Sequence, residues 1–491
     1  MKVKKIFASL LAVLLILASV SACGNQSKTN NETEQTTDAP VDTTPVEIED
    51  EGVNFWVENN AGFENAIEGV AEEFEVEITD GAVTILSYLG THEHLSIPTE
   101  INGMPVTSIA DGAFAVVEEE LPENVDENTE EKAQPLQLKT LIIPKSVTQI
   151  GKGILAGCET LHSLQTPLMG ETQEGTQYLG YLFGAATHED NARDIPVSLK
   201  CLRLTADWQT LPAYALFDCN DIICLSLPEN VTVIEKFAIY NGASLRQIDG
   251  IEKIVTFGDR ALMNCSDLQI LNLGDTLQTV GFGAFEGCSS IRTMTLPFVG
   301  RSQTENTYLG YVFGAAQPDF AKGFYPAHLE RITLSGACKA LGNYAFFECE
   351  TLKEITLPEG LTSIGVRAFY GCESLWSIKL PNSLTTLREE AFAQCDALTS
   401  VVFGQGLTSI GINAFYNCDS LKEVALPETL KSLPASCFAG CIVLERVDLG
   451  GVTKVGAEAF RHCKALVSVS ANGNVDFEKG NDLAKSVLNS K

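Results

Sequence analysis

A fixed period constrains this chain more than any other feature. Between Asn343 and Lys464, cysteines stand at Cys349, Cys372, Cys395, Cys418, Cys441 and Cys463, spaced 23, 23, 23, 23 and 22 residues apart. A phenylalanine precedes each by three residues: Phe346, Phe369, Phe392, Phe415, Phe438 and Phe460. Self-similarity at such a period marks a stacked-repeat protein, in which no unit can bury its apolar face alone and neighbours complete it. With Cys372 as position 0, apolar residues recur at +3, +6, +8, +12, +15 and +20, as Leu375, Ile378, Leu380, Leu384, Leu387 and Phe392. Ser377 to Leu380 alternates as a short strand. Pro381 ends it, because proline has no N–H for the ladder. The glycine that often follows +15 (Gly281, Gly342, Gly365, Gly411, Gly456) reads as a tight turn. The register predicts an α/β-type solenoid of ~23-residue rungs, with one short parallel strand per rung stacked at about 4.8 Å. Position +20 counts about twelve rungs: Phe114, Leu155, Leu216, Ile239, Leu262, Phe285 and the six phenylalanines above.

What precedes the array is different in kind. Lys2, Lys4 and Lys5 form a positive n-region before an apolar run from Ile6 to Val20, which reads as a secretory signal over residues 1–22. The stretch V-S-A-C, ending at Cys23, resembles the lipobox of bacterial lipoproteins. That resemblance implies cleavage before Cys23, a diacylglycerol on its sulfur, and residence on the outer face of the bacterial cell membrane. Residues 23–50 are a polar, acidic tether with too little apolar content to fold. No later stretch is long and apolar enough to span a bilayer.

The chain carries a formal net charge of −31. Residues 24–135 hold 27 Asp/Glu against 2 Lys/Arg, so the acidity belongs mainly to the tether, the N-terminal cap and one insertion. An acidic excess of this size argues against nucleic acid as a partner, since phosphate contacts need a basic surface.

Residues 51–89 read as an N-terminal cap, with helix-compatible spacing at Phe63, Ile67, Val70 and Phe74, then a hairpin about Asp80-Gly81. A solenoid must hide the apolar end of its first rung, so an atypical terminal unit is expected. The array proper covers residues 90–471, with insertions near 115–134, 168–195 and 298–325, and residues 472–491 form a short C-terminal cap. The wording of Tyr88 to Phe114, YLGTHEHLSIPTEINGMPVTSIADGAF, resembles the opening of BspA-type leucine-rich repeat proteins, surface proteins of bacteria that live on animal hosts. The likeness runs through nearly all of residues 85–470. It implies a leucine-rich-repeat array and an adhesive role, with a protein or glycan on host or neighbouring cells as partner.

Fifteen cysteines in an exported chain first suggest disulfides. The spacing points elsewhere: ten fall at position 0, one per rung, where a buried thiol packs as a small hydrophobe. Cys201 and Cys224 instead fall at +5, on the outward face of neighbouring strands, and Cys437 lies near Cys441. Either pair is a candidate for oxidation, although parallel neighbouring strands offer poor disulfide geometry. His92 and His94 flank Glu93 in a loop without further clustered ligands, which reads as a solvated turn. No HExxH, GxSxG, phosphate-binding loop, CxxC pair or dinucleotide fingerprint occurs. Neither a metal, a cofactor nor catalysis is expected.

In a leucine-rich repeat the concave face falls here at +4, +5 and +7. These positions carry ten Lys/Arg and six Asp/Glu, a local net of +4 in an acidic chain. Arg203, Arg246, Arg292, Lys353 and Lys379 are its candidate binding cations. Trp376 is the sharpest candidate, because an exposed tryptophan between lysines has hot-spot chemistry; Trp208, at +12, should be core. The other candidates lie in the twin segments GETQEGTQYLGYLFGAA and GRSQTENTYLGYVFGAA, which start at Gly170 and Gly300. They read as short helices emerging from one edge of the solenoid. Exposed, Tyr178, Tyr181, Phe183 and Tyr308, Tyr311, Phe313 would form two equal aromatic patches able to engage a repetitive partner with avidity. The readings left standing are a surface binding protein, an envelope scaffold, and a glycan-binding or enzymatic module at the insertions.

Overall fold

The computed structural model describes residues 61–116, 136–205, 207–305 and 308–490. The stretches read as a signal and a tether, Cys23, the start of the expected cap and most of the first insertion lie outside them.

The described chain is a parallel-strand solenoid of about 16 turns with rungs of about 23 residues and little helix. Its long strands follow one another as four successive parallel runs of in-register neighbours: Ile67–Glu68 to Gln247–Asp249, Ile270–Asn272 to Glu354–Thr356, Ser377–Lys379 with Ser400–Val402, and Glu423–Ala425 to Leu488–Ser490. The apolar periodicity explains why they stack. In the rung that starts at Cys372, the residues Leu375, Ile378, Leu380, Leu384, Leu387 and Phe392 are all buried in one continuous core. Each such side chain contributes roughly 1.5–3 kcal/mol through burial, which only a neighbouring rung can provide.

The structure adds a second strand to each regular rung. Two-residue strands at +14 and +15, such as Ser363–Ile364, Thr386–Leu387 and Ser409–Ile410, pair in parallel beside the first line. Their inward residues are the +15 leucines and isoleucines. The glycine after them does not turn the chain by positive φ. A Cβ on Gly365 would sit 2.4 Å from the carbonyl carbon of Gly342, and one on Gly411 would sit 2.3 Å from the Glu389 nitrogen. Glycine is there because successive rungs approach closely. The left-handed turns fall elsewhere, at +18 (Arg367, Glu390, Asn413) and just before the cysteine (Gly371, Gln394, Asn417).

The third side of the rung is looped but still laddered. Phe369 N–H donates to Ala391 O at 2.8 Å and Phe392 N–H to Ala414 O at 2.8 Å. Beneath that ladder the +20 phenylalanines from Phe346 to Phe460 stack with centroids 4.8–5.9 Å apart. The cysteines lie beside them, and they are more than filler. Cys372, Cys395, Cys418, Cys441 and Cys463 each donate S–H to the +20 carbonyl of the previous rung, at 3.1–3.3 Å. Cys158, Cys265 and Cys288 do the same.

Two expectations about local structure are corrected. Phe63 to Phe74 is not one helix: it is a helical turn at Ala61–Glu64, a strand at Ile67–Glu68 and a 3-10 turn at Ala71–Glu73. Ile67 and Val70 are exposed, so their spacing has no core to face. Phe74–Thr79 and Ala82–Tyr88 then form an antiparallel hairpin about Asp80 and Gly81, both left-handed.

The twin insertions, in turn, do not leave the solenoid. Ser163 pairs in register with Cys201, and Thr293 with Arg331, so each insertion lengthens one rung to 38 residues without breaking the strand line. The YLGY segments are 3-10 turns, Leu179–Phe183 and Leu309–Phe313, inside the looped ladder. Leu155 N–H donates to Leu182 O at 2.8 Å and Leu179 N–H to Ala215 O at 2.9 Å; Phe285 to Val312 and Leu309 to Ala345 repeat this. Leu182 and Val312 thus hold the acceptor place that Ala391 and Ala414, at +19, hold in regular rungs, in rungs that the count of twelve passed over.

Candidate binding face

The outward positions of the long strands are the face on which the sequence placed its candidates. At its N-terminal end this face is already covered by the chain itself. The Ala61–Glu64 turn lies across it: a Cβ on Gly62 would meet Thr140 Oγ1 at 2.5 Å and Ser163 Oγ at 3.2 Å. Phe63 is buried together with Cys201 and Cys224, with Ile142 and Ile223 packed beside them. The Arg203 guanidinium sits 4.3 Å from the Phe63 ring centroid. Arg203 is therefore half-buried and engaged, not free to meet a partner. Sequence reasoning missed this cover, although the +5 column carried a trace of it. Thr140, Ser163, Cys201 and Cys224 are four small residues in succession, although Thr293, Ser377 and Ser400 farther along the column are small too.

Farther along, cations and anions pair across rungs. Lys353 Nζ meets Glu330 at 2.9 Å, and Arg246 meets Asp267 at 3.4 Å. Arg331 meets Glu354 at 3.1 Å, and Arg446 bonds Glu423. The ammonium of Lys353 holds the Glu330 carboxyl below the usual carboxylate range. Such exposed pairs add little stability, and since Glu330, Glu354 and Glu423 already stand in the count of +4, only Asp267 among these partners lowers that excess. Among the described residues, Arg292 and Lys379 form no ion pair.

Trp376 is 48% exposed at +4, flanked along that column by Lys353 and Thr399. Its rung also carries exposed Lys379, which pairs in register with Val402, itself 54% exposed. An exposed indole, an exposed isopropyl group and an ammonium without an ion pair among the described residues thus lie on two neighbouring rungs. Trp208 is core, as its register required.

The insertion candidates are placed otherwise. Tyr178, Phe183, Tyr308 and Phe313 are buried, and Tyr181 and Tyr311 are half-buried against the core. Tyr178 Oη donates to the carbonyls of Ala185 and Ala186 at 3.0 Å, and Tyr308 Oη to Ala315 O at 2.7 Å. These rings close their own loops, so the two aromatic patches do not exist. An open polar depression of about 390 Å³ does lie beside the first insertion, lined by Thr84, Ser108, Asp111, Gln149, Glu171 and Tyr181 among others. Among the described residues no group of His, Cys, Asp and Glu is arranged to hold a metal ion. His92 pairs with Glu73 at 3.0 Å, and His94 hydrogen-bonds Thr140 Oγ1 at 2.9 Å. The fourteen described cysteines are free and buried; Cys441 donates to Phe415 O rather than to Cys437.

A sequence profile of the BspA type leucine rich repeat region matches residues 92–174, 196–308, 321–445 and 385–486. Among solved structures, a leucine-rich repeat protein from Bacteroides ovatus is 18% identical over 84% of this chain and 99% of its own, with a TM-score of 0.32. A leucine rich cell surface protein from Faecalibacterium prausnitzii is 20% identical over 85% and 96%, with a TM-score of 0.29. The pneumococcal vaccine antigen PcpA is 17% identical over 85% and 95%, with a TM-score of 0.25. No curated protein matches the sequence.

Proposed function

The chain belongs to the BspA-type leucine-rich repeat family, and we propose that it is an exported, lipid-anchored surface protein that binds another protein and performs no chemistry. The binding patch in this reading is Trp376 with Lys379 and Val402, with Arg292 an outlying contact. The observation that carries it is the exposed Trp376, on the same rung as an exposed Lys379 that has no ion pair among the described residues. Buried on a partner, a tryptophan flanked by charge is the residue type on which binding energy concentrates. The partner that fits is a protein segment presenting an apolar side chain next to an acidic one, on a host cell, its matrix or a neighbouring bacterium. An envelope scaffold would use the same face toward the bacterium's own components. A glycan-binding role resting on the insertions' aromatic rings is disfavoured, because Tyr178, Phe183, Tyr308 and Phe313 are buried.

Adhesion of the full-length protein to immobilised matrix proteins, host cells and envelope fractions tests the patch and separates the two settings. Trp376→Ala should weaken whichever interaction is found by about 30-fold, the effect of losing a hot-spot residue of ~2 kcal/mol. Unchanged binding would sink the assignment. For the anchor, Cys23→Ala should move the protein from the membrane fraction to the medium, because the acyl chains supply the attachment. Retention of the variant on membranes would rule that anchor out.

A further inference from the structure

Two cysteines are set apart from all the others. Eight position-0 thiols spend their S–H on a main-chain carbonyl of the previous rung. Cys201 and Cys224 have no such carbonyl. They occupy the first position of the strands Cys201–Leu204 and Cys224–Ser226 and are direct register partners. Their Sγ atoms lie 2.7 Å apart, turned toward each other. Neighbouring strands stand about 4.8 Å apart, inside the Cα separation that a disulfide tolerates. The usual objection, that parallel neighbours keep their Cβ–Sγ bonds side by side, does not hold where both sulfurs already converge.

The surroundings are as distinctive. Both thiols are fully buried although they stand on the outward face, because Phe63 packs against them, with the Arg203 guanidinium 4.3 Å from its ring centroid. A solvated thiol pair on a strand face would need no lid.

We propose that Cys201 and Cys224 are a disulfide site: oxidation joins two adjacent rungs, and the Ala61–Glu64 turn then seals the bond from solvent. The oxidant is a low-molecular-weight or protein disulfide. One protein thiolate attacks its S–S bond, giving a mixed disulfide and releasing one thiol of the reagent. The second cysteine attacks the protein sulfur of that mixed disulfide, forming the Cys201–Cys224 bond and releasing the second reagent thiol. Two protons and two electrons pass from the cysteines to the reagent in all. Because the sulfurs are inaccessible once Phe63 is seated, exchange belongs to folding, before the turn docks. The bond ties the long rung that ends in Cys201–Leu204 to the first regular rung after it. Only the oxidising surroundings derive from the export reading above. Refolding in vitro supplies them directly, so failure of that reading and failure of this site are distinguishable.

The test uses the full-length chain, denatured, reduced and refolded in a glutathione and glutathione disulfide buffer. It is then acid-quenched, denatured, alkylated and digested for mass spectrometry. The expected result is one disulfide-linked species containing Cys201 and Cys224, with the twelve other described cysteines alkylated. In Cys201→Ser, Cys224 should be recovered alkylated, with no new linkage. Reduction of the bond by dithiothreitol should be at least tenfold slower in the folded protein than in denaturant, and Phe63→Ala should remove most of that protection. Recovery of both Cys201 and Cys224 as alkylated thiols after refolding overturns the site. Equal reduction rates in folded and denatured protein overturn the sealing role of Phe63.

Discussion

At the scale of single residues, the position-0 cysteine shows how one side chain serves two needs of a rung. Cys395 fills a space beside Phe369 and Phe392 and gives its S–H to Phe369 O at 3.1 Å. That carbonyl also accepts the Cys372 N–H at 3.2 Å, so loss of the thiol leaves it one partner. Cys395→Ala should therefore cost only about 1–2 kcal/mol, a small cavity plus one weak hydrogen bond. Phe392→Ala, which empties a stacked ring site, should cost about 3–5 kcal/mol. Urea denaturation followed by circular dichroism measures both, and a neutral Cys395→Ala would show that the S–H bond contributes nothing. The burial of Cys395 was legible because the period alone places it inside. Its hydrogen bond was not legible, since the acceptor belongs to another rung and the offset between rungs on the looped side is a three-dimensional quantity. The same division holds for the binding candidates. The register put Trp376 outside and Trp208 inside, but it could not pair Lys353 with Glu330 or set Arg203 against Phe63.

At the scale of elements, sequence reasoning succeeded where the pattern repeats and failed where it is interrupted. The long strands alternate over three or four residues and recur many times, so their line was readable. The second strands are two residues long, and only their +15 residue carries an apolar signal, so nothing in one rung distinguishes a strand from a turn. The twin YLGY segments look amphipathic in isolation. What decides their place is that Ser163 pairs with Cys201 across 38 residues, which forces the extra chain back into the ladder before the next strand begins. Phe63 to Phe74 failed for the converse reason: helical spacing predicts a helix only if something lies under the apolar face. Here Phe63 turns onto the strands, Phe74 starts the hairpin, and Ile67 and Val70 face solvent. The cap is organised by the array it covers rather than by its own periodicity.

At the scale of the whole molecule, stacking thiols along one core makes their protonation a collective property. Burial pushes the Cys338 thiol up to about 11 and those of Cys158 and Cys349 up to about 12, and it holds Cys372, Cys395, Cys437 and Cys441 well above their ordinary value. In the unfolded chain the same groups ionise near their free pKa of about 8.5. Between those values the native state holds protons that the unfolded state has lost. The stability this contributes is fully present below about pH 8.5 and declines as pH rises toward the folded-state values. Each buried thiol then steepens the fall by up to about 1.4 kcal/mol per pH unit. Carboxylates with lowered pKa, such as Glu93 and Glu478, are exposed and screened, so no comparable loss is expected in mild acid. The urea midpoint should hold steady from pH 6 to 8 and drop steeply between pH 9 and 11. Tyrosines and lysines also titrate in that range, so the decisive comparison is with a variant carrying Cys372→Ala, Cys395→Ala and Cys418→Ala. Its midpoint at pH 7 should be lower, yet its decline above pH 9 should be shallower by the share of three thiols. A decline as steep as that of the unaltered chain would show that the cysteine ladder is not what makes the solenoid sensitive to alkali.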